Sequence, residues 1–133
     1  MMIELAVNPL AVAAAAPAAF LVGGLWYGPL FGTAWLKAST LTEEQARVGT
    51  ARVFGGAFLI TAIMAIVLGA FIGTAGVVFG AVTGFVAGFV WVSGSVAVNY
   101  LFEHRGLALF FINSGYSTVT FTVMGAILGA LQA

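Results

Sequence analysis

The side chains that could contact a ligand are few in this chain of 133 residues. They are Trp26, Tyr27, Asn99, Asn113 and Tyr116, and each stands among apolar residues. Asn113 and Tyr116 lie three residues apart and would share one face of a helix. An amide or a phenol in apolar surroundings needs a hydrogen-bond partner, on a neighbouring helix or on a ligand. These five residues are therefore the candidate ligand-binding residues.

Most other chemistry is excluded by residue type. The chain has no cysteine, no aspartate and a single histidine, His104, which lies between Glu103 and Arg105. Thiolate chemistry, a Ser-His-Asp triad and a pair of metal-binding histidines are therefore ruled out. Consecutive helical residues point about 100° apart, so these three side chains would not converge on one ligand. We expect no catalytic residue, no metal and no cofactor, and hence no enzyme.

The composition indicates that the folded chain is surrounded by an apolar solvent. Hydrophobic residues make up 62% of the chain and charged residues 6%, with a mean hydropathy of +1.16. Soluble domains carry about 25% charged residues. A small soluble fold leaves about a third of its chain surface exposed and has no room to hide this much apolar surface. The formal net charge of zero gives no reason to expect a nucleic-acid partner.

Four stretches are long enough to cross a bilayer, which takes about 20 apolar residues. The predicted spans are residues 9–31, 53–73, 77–102 and 107–131. We therefore predict an all-α fold, an integral membrane four-helix bundle that forms one transmembrane domain over residues 1–133. Asn8 and Pro9 suit the cap and first position of the first span. Pro17 predicts a kink, and Pro29 an end or a bend.

Two of the three links are short. The second and third spans are joined through residues 73–76, which predicts an antiparallel hairpin, and the third and fourth through residues 103–106. The longer first link contains Thr42 and, three residues later, Gln45. This spacing is typical of a capping box, and it predicts a short polar helix over residues 43–48.

The basic residues predict the orientation. Lys37, Arg47 and Arg52 lie in the first link and Arg105 in the third, so all four share one side. Positive-inside bias puts that side in the cytoplasm and both termini on the non-cytoplasmic side of a cell inner (plasma) membrane. The candidate ligand-binding residues then lie in the cytoplasmic half, and the outer half is almost bare of such groups. An interfacial aromatic belt would equally explain Trp26, Tyr27, Trp35 and Tyr100. Asn113 could instead form a structural bond to Asn99 or to a first-span carbonyl.

Glycines recur every four residues and predict close helix packing. The helix-packing candidates are Gly76, Gly80, Gly84 and Gly88 in the third span, and Gly125 and Gly129 in the fourth. We expect the third-span stripe to line the hairpin with the second span, which carries Gly69 and Gly73. Two interpretations stay open: packing inside one bundle, or the seam of a homo-oligomer.

Several runs carry a family resemblance. They are residues 8–12, 25–37, 99–105, 111–116 and 124–129, and the run at 25–37 contains Trp26, Tyr27, Pro29 and Trp35. Together these runs resemble an uncharacterised bacterial membrane family, domain of unknown function 1761. The resemblance implies a four-span bacterial protein and no particular activity.

Two functions are consistent with these features. The first is a structural or accessory subunit that associates with itself or with a larger membrane complex in the lipid bilayer. The alternative is a small dimeric transporter or channel for a small solute or ion, with an uncharged polar site at Asn99, Asn113 and Tyr116. A proton-coupled exporter needs an embedded carboxylate, whereas Glu4 precedes the first span and Glu103 lies at the surface.

Overall fold

The fold is built from four long apolar helices. The computed structural model describes residues 7–133, and Glu4 lies outside them. The spans are Pro9–Leu30, Thr50–Ile72, Val77–Glu103 and Leu107–Gln132, each long and apolar enough to cross a membrane. The described residues form helices and turns without strands. The all-α class and the four long apolar helices are thus confirmed.

Two of the spans contain a wider π-helical turn. In the first span the α-helix Pro9–Leu25 passes into the turn Trp26–Leu30, which contains Pro29. Proline has no N–H to donate, and the Phe31 N–H closes this turn on the Trp26 carbonyl at 2.8 Å. In the third span the turn Ala87–Val92 separates the helices Val77–Val86 and Ser93–Glu103. The Ser93 N–H closes this turn on the Gly88 carbonyl, and the Ser93 hydroxyl donates to the same carbonyl at 2.7 Å.

The first link holds two short helices. The sequence predicted one, and Glu43–Ala46 forms at that place with both bonds of the capping box between Thr42 and Gln45. The other, Gly32–Ser39, was not predicted. It is stabilised by an aromatic contact, because the Trp35 ring meets the Tyr27 ring edge-on with centroids 6.0 Å apart.

The fourth span is the shared neighbour of the other three. It runs against the third span along its whole length and also contacts the first and the second. The expectation that the glycines pack the second span against the third is wrong. These two spans turn at Gly73 and Gly76, both with positive φ, but each leans on the fourth span. A groove of about 600 Å³, lined by Met64, Phe71 and Trp91 among others, separates them.

Glycines bring the backbones of the third and fourth spans into contact. A Cβ atom on Gly80 would collide with the Gly125 carbonyl oxygen, and one on Gly84 with the Phe121 carbonyl oxygen. A Cβ on Gly88 would lie 2.8 Å from the Ser117 carbonyl oxygen. At the far end, a Cβ on Gly129 would collide with the Gly76 carbonyl oxygen. The structure therefore places the stripe inside the chain, on the fourth span, which leaves no free glycine face there for a second copy.

Alanines let the first span pack closely against the fourth. Ala11, Ala15 and Ala19 recur every four residues and are fully buried. They pack against Met124 and Leu128 of the fourth span, which are also fully buried. Small side chains let two helices approach closely, and the spacing of four keeps them on one face. The first and third spans therefore both dock on the fourth through their small residues.

Replacing Gly84 by alanine tests this contact. The new methyl group meets the Phe121 carbonyl, so we expect the free energy of unfolding to fall by about 1–3 kcal/mol, as for other overpacked sites. Gly94→Ala is the matched control in the same span, because a Cβ there meets nothing within 4 Å. The control should be unchanged or more stable by up to about 1 kcal/mol. Denaturant titration in detergent micelles measures both, and equal stabilities would refute the contact.

Candidate functional site

A polar cluster joins three spans at the loop end of the bundle, the end at which the first and third links lie. The Tyr27 hydroxyl of the first span donates to the Asn113 Oδ1 atom of the fourth at 2.7 Å. The Asn113 Nδ2 atom donates to the Tyr100 hydroxyl of the third span, also at 2.7 Å. One amide thus connects two neighbouring helices, with its acceptor facing one and its donor facing the other.

Small residues open the space for the aromatic rings of this cluster. Gly23 lies one helical turn before Tyr27, and a Cβ there would touch the Tyr116 ring at 3.4 Å. The Tyr27 and Tyr116 rings pack with centroids 5.1 Å apart and planes tilted by 59°. Such tilted pairs are favourable because the ring edge of one meets the ring face of the other. Tyr116 therefore contributes to the site as a packing surface beside Tyr27.

Trp26 fixes the first span to the fourth beside the cluster. Its Nε1–H donates to the Ile112 carbonyl oxygen at 2.8 Å. The indole ring lies over Gly115, where a Cβ would approach it to 2.8 Å. Gly115 is thus the residue that lets the indole lie flat on the fourth span. The contact holds the π-helical turn in place, and with it the position of Tyr27.

Four of the five candidate residues come together, and Asn99 does not. Trp26, Tyr27, Asn113 and Tyr116 are half-buried at one place, whereas Asn99 is exposed. The suggested bond between Asn113 and Asn99 does not form, because Tyr100 takes that position. Adjacent helical residues point about 100° apart, so only one of the two can face the fourth span.

The cluster offers hydrogen bonds but no titratable acid or base near neutral pH. No group of three or more His or acidic side chains suited to a metal occurs in the described residues. At the end of the third span, Glu103 and Arg105 form an exposed ion pair of 2.8 Å. That bond raises the pKa of the Arg105 guanidinium. Arg105 also lies 5.7 Å from the centre of the Tyr100 ring, which supports Tyr100 from its outer side.

A second polar link, at the opposite end of the bundle, was missed by the sequence reasoning. Gln132 is buried, and its Oε1 atom accepts from the Asn8 N–H at 3.0 Å. Its Nε2 atom donates to the carbonyls of Gly69 at 3.0 Å and Gly73 at 3.1 Å. The expectation of an almost bare outer half is therefore wrong. A signal existed, because Gln132 continues the four-residue spacing of Met124 and Leu128 on the core face.

Replacing Asn113 by leucine tests the cluster. The substitution keeps the branching and the number of heavy atoms but leaves the Tyr27 and Tyr100 hydroxyls without their partner. We expect the free energy of unfolding to fall by about 1–2 kcal/mol. Asn99→Leu removes an exposed amide of the same kind and should change it by less than about 0.5 kcal/mol. Denaturant titrations of both variants in the same detergent would contradict the cluster if the two losses were equal.

The comparison with known proteins gives a family and no activity. The family profile described as "Protein of unknown function (DUF1761)" matches residues 10–129, which include the polar cluster and all but the ends of the four spans. No curated protein matches the chain, and no solved structure does. Because the match extends over most of the sequence, the chain belongs to the DUF1761 family.

Proposed function

We propose that this chain is a multi-pass protein of the bacterial inner membrane that serves as a structural or accessory subunit, beside further copies of itself or within a larger complex. Both termini lie on the non-cytoplasmic side in this proposal. The observation that carries the subunit role is the closed polar cluster. Asn113 uses both ends of its amide on Tyr27 and Tyr100, so this amide serves the fold.

The outward side chains support the membrane location. The second span, Thr50–Ile72, turns large apolar residues away from the bundle, among them Leu59 and Phe71, which are 63% and 76% exposed. In water such a continuous apolar surface would drive aggregation. In hydrocarbon it is the expected surface, because lipid tails are as apolar as these side chains and the helices pair their backbone groups internally.

The orientation is tested by labelling. The chain has no cysteine, so single cysteines can be placed at Glu44, in the first link, and at Ala133, after the fourth span. A membrane-impermeant maleimide should label the Ala133→Cys variant in intact spheroplasts. It should label Glu44→Cys only after the membrane is permeabilised. The reverse pattern would invert the topology, and labelling of both positions in intact spheroplasts would refute the four-span insertion.

The closed cluster favours a subunit over the alternative of a small transporter or channel. A polar pore would need its amide and hydroxyl groups free to replace the hydration shell of a solute. Here the Tyr27 hydroxyl and both polar atoms of the Asn113 amide have partners within the chain. The Gln132 amide at the other end is likewise bonded to backbone groups. These bonds suit groups that hold helices together.

The subunit role is tested by photo-crosslinking in native membranes. A photoreactive amino acid at Phe71 or Trp91 stands at the groove between the second and third spans, where both side chains are exposed. Leu10 of the first span serves as the control position, because its side chain is as exposed as that of Phe71, both at 76%. We expect discrete protein adducts from the groove, at twice the chain mass or higher. Adducts with lipid alone at all three positions would refute the subunit role.

A further inference from the structure

An apolar groove and a polar hollow meet beside the cluster, and they share Tyr27 and Gly28. The groove, of about 570 Å³, lies between the first and second spans, with Gly23 and Gly24 on one wall and Phe54 on the other. This volume is within the usual range of ligand pockets, about 300–1,000 Å³. The glycines make the groove, because a side chain at Gly24 would project into open space there.

The hollow, of about 320 Å³, lies under the first link and is lined by polar and charged groups. Thr33 and Trp35 come from the helix Gly32–Ser39, and Glu43 and Arg47 from the second short helix and its end. An apolar groove and a polar hollow that share Tyr27 and Gly28 as lining residues match the two parts of an amphiphile. The polar part sits at the end of the spans, where the headgroups of a bilayer lie.

The hollow presents one positive and one negative side chain, Arg47 and Glu43, which form no ion pair with each other. Among the described residues, only Arg105 and Glu103 bring a charged nitrogen and oxygen within 4.0 Å of each other. Arg47 and Glu43 form no such pair. An arginine fork recognises a phosphate through paired N–H bonds. A carboxylate in the same hollow repels a purely anionic head but accepts bonds from an ammonium group.

We propose that the groove and the hollow together bind one membrane phospholipid whose head carries a phosphate and a primary ammonium group. Arg47 binds the phosphate, Glu43 accepts from the ammonium, and one acyl chain lies in the glycine-walled groove beside Tyr27. Basic pockets between membrane helices bind lipid phosphates in this way. The inference rests on the membrane location proposed above and is independent of the subunit role.

The head contacts are tested by native mass spectrometry of the full chain in detergent, titrated with phosphatidylethanolamine, phosphatidylglycerol or phosphatidylcholine of the same acyl chains. The wild type should bind one phosphatidylethanolamine more tightly than either other lipid. Arg47→Gln should weaken that binding about fivefold, the value of one basic contact with a lipid phosphate. Arg52→Gln removes the same charge from the first turn of the second span, outside the hollow, and should bind as the wild type does.

Two further variants separate the charge pattern and the tail. Glu43→Gln removes the repulsion of an anionic head and should reverse the order of phosphatidylethanolamine and phosphatidylglycerol. Gly24→Leu fills the groove and should abolish binding, whereas Gly55→Leu, also at an open position but outside the groove, should not.

The proposal is overturned if Arg47→Gln and Arg52→Gln bind alike, or if Gly24→Leu binds as Gly55→Leu does. It is equally overturned if the wild type binds the three lipids without preference. The circular dichroism spectrum of each variant in the same detergent shows whether the variant has kept its helical fold. These results leave the orientation experiment untouched, so failure of the lipid site is distinguishable from failure of the membrane location.

Discussion

The close approach of the fourth span to its neighbours is the constraint on which the rest of the structure depends. Between helices in hydrocarbon there is no hydrophobic driving force, so van der Waals contact and hydrogen bonds must supply the association. Gly80 and Gly84 bring the third span to backbone contact, and Ala15 and Ala19 of the first span pack against the Met124 and Leu128 side chains. A larger residue at these positions would move the helices apart and separate the groups that the polar links join.

The two polar links lie near the two ends of the fourth span and complete its role. Asn113 joins it to the first and third spans, and Gln132 joins it to the first and second. The two residues are 19 positions apart, which on a helix is about 28 Å, close to the thickness of a bilayer core. Small residues thus pack against the fourth span along its length, and amides bond it to its neighbours near its two ends. The end near Asn113 also carries the first link and its polar hollow, so the proposed lipid head would lie beside Tyr27, which is hydrogen-bonded to Asn113.

Much of this arrangement could be predicted from the sequence, and the remainder depended on which faces meet. Hydropathy and length were enough for the four spans, and local spacing was enough for the capping box at Thr42. The depth of Asn113 indicated an interior position. The third-span partner of Asn113 could not be predicted, because Asn99 and Tyr100 are adjacent and only the rotation of that span decides which one faces inward. The packing partner of the glycine stripe, the fourth span and not the second, also depends on how the helices are rotated. Gln132 could not be placed for the same reason, because its amide bonds carbonyls that are distant in sequence.

The convergence of three spans on Asn113 is the central claim, and solid-state NMR in lipid bilayers tests it most directly. The chain has three asparagines and three tyrosines, so ¹⁵N-asparagine and ¹³C-tyrosine labelling gives few signals. We expect contacts from the Asn113 side-chain nitrogen to the ring carbons of both Tyr27 and Tyr100, which disappear in Asn113→Leu and persist in Asn99→Leu. Contacts that persist in Asn113→Leu, or their absence from a well-ordered wild-type spectrum, would contradict this claim.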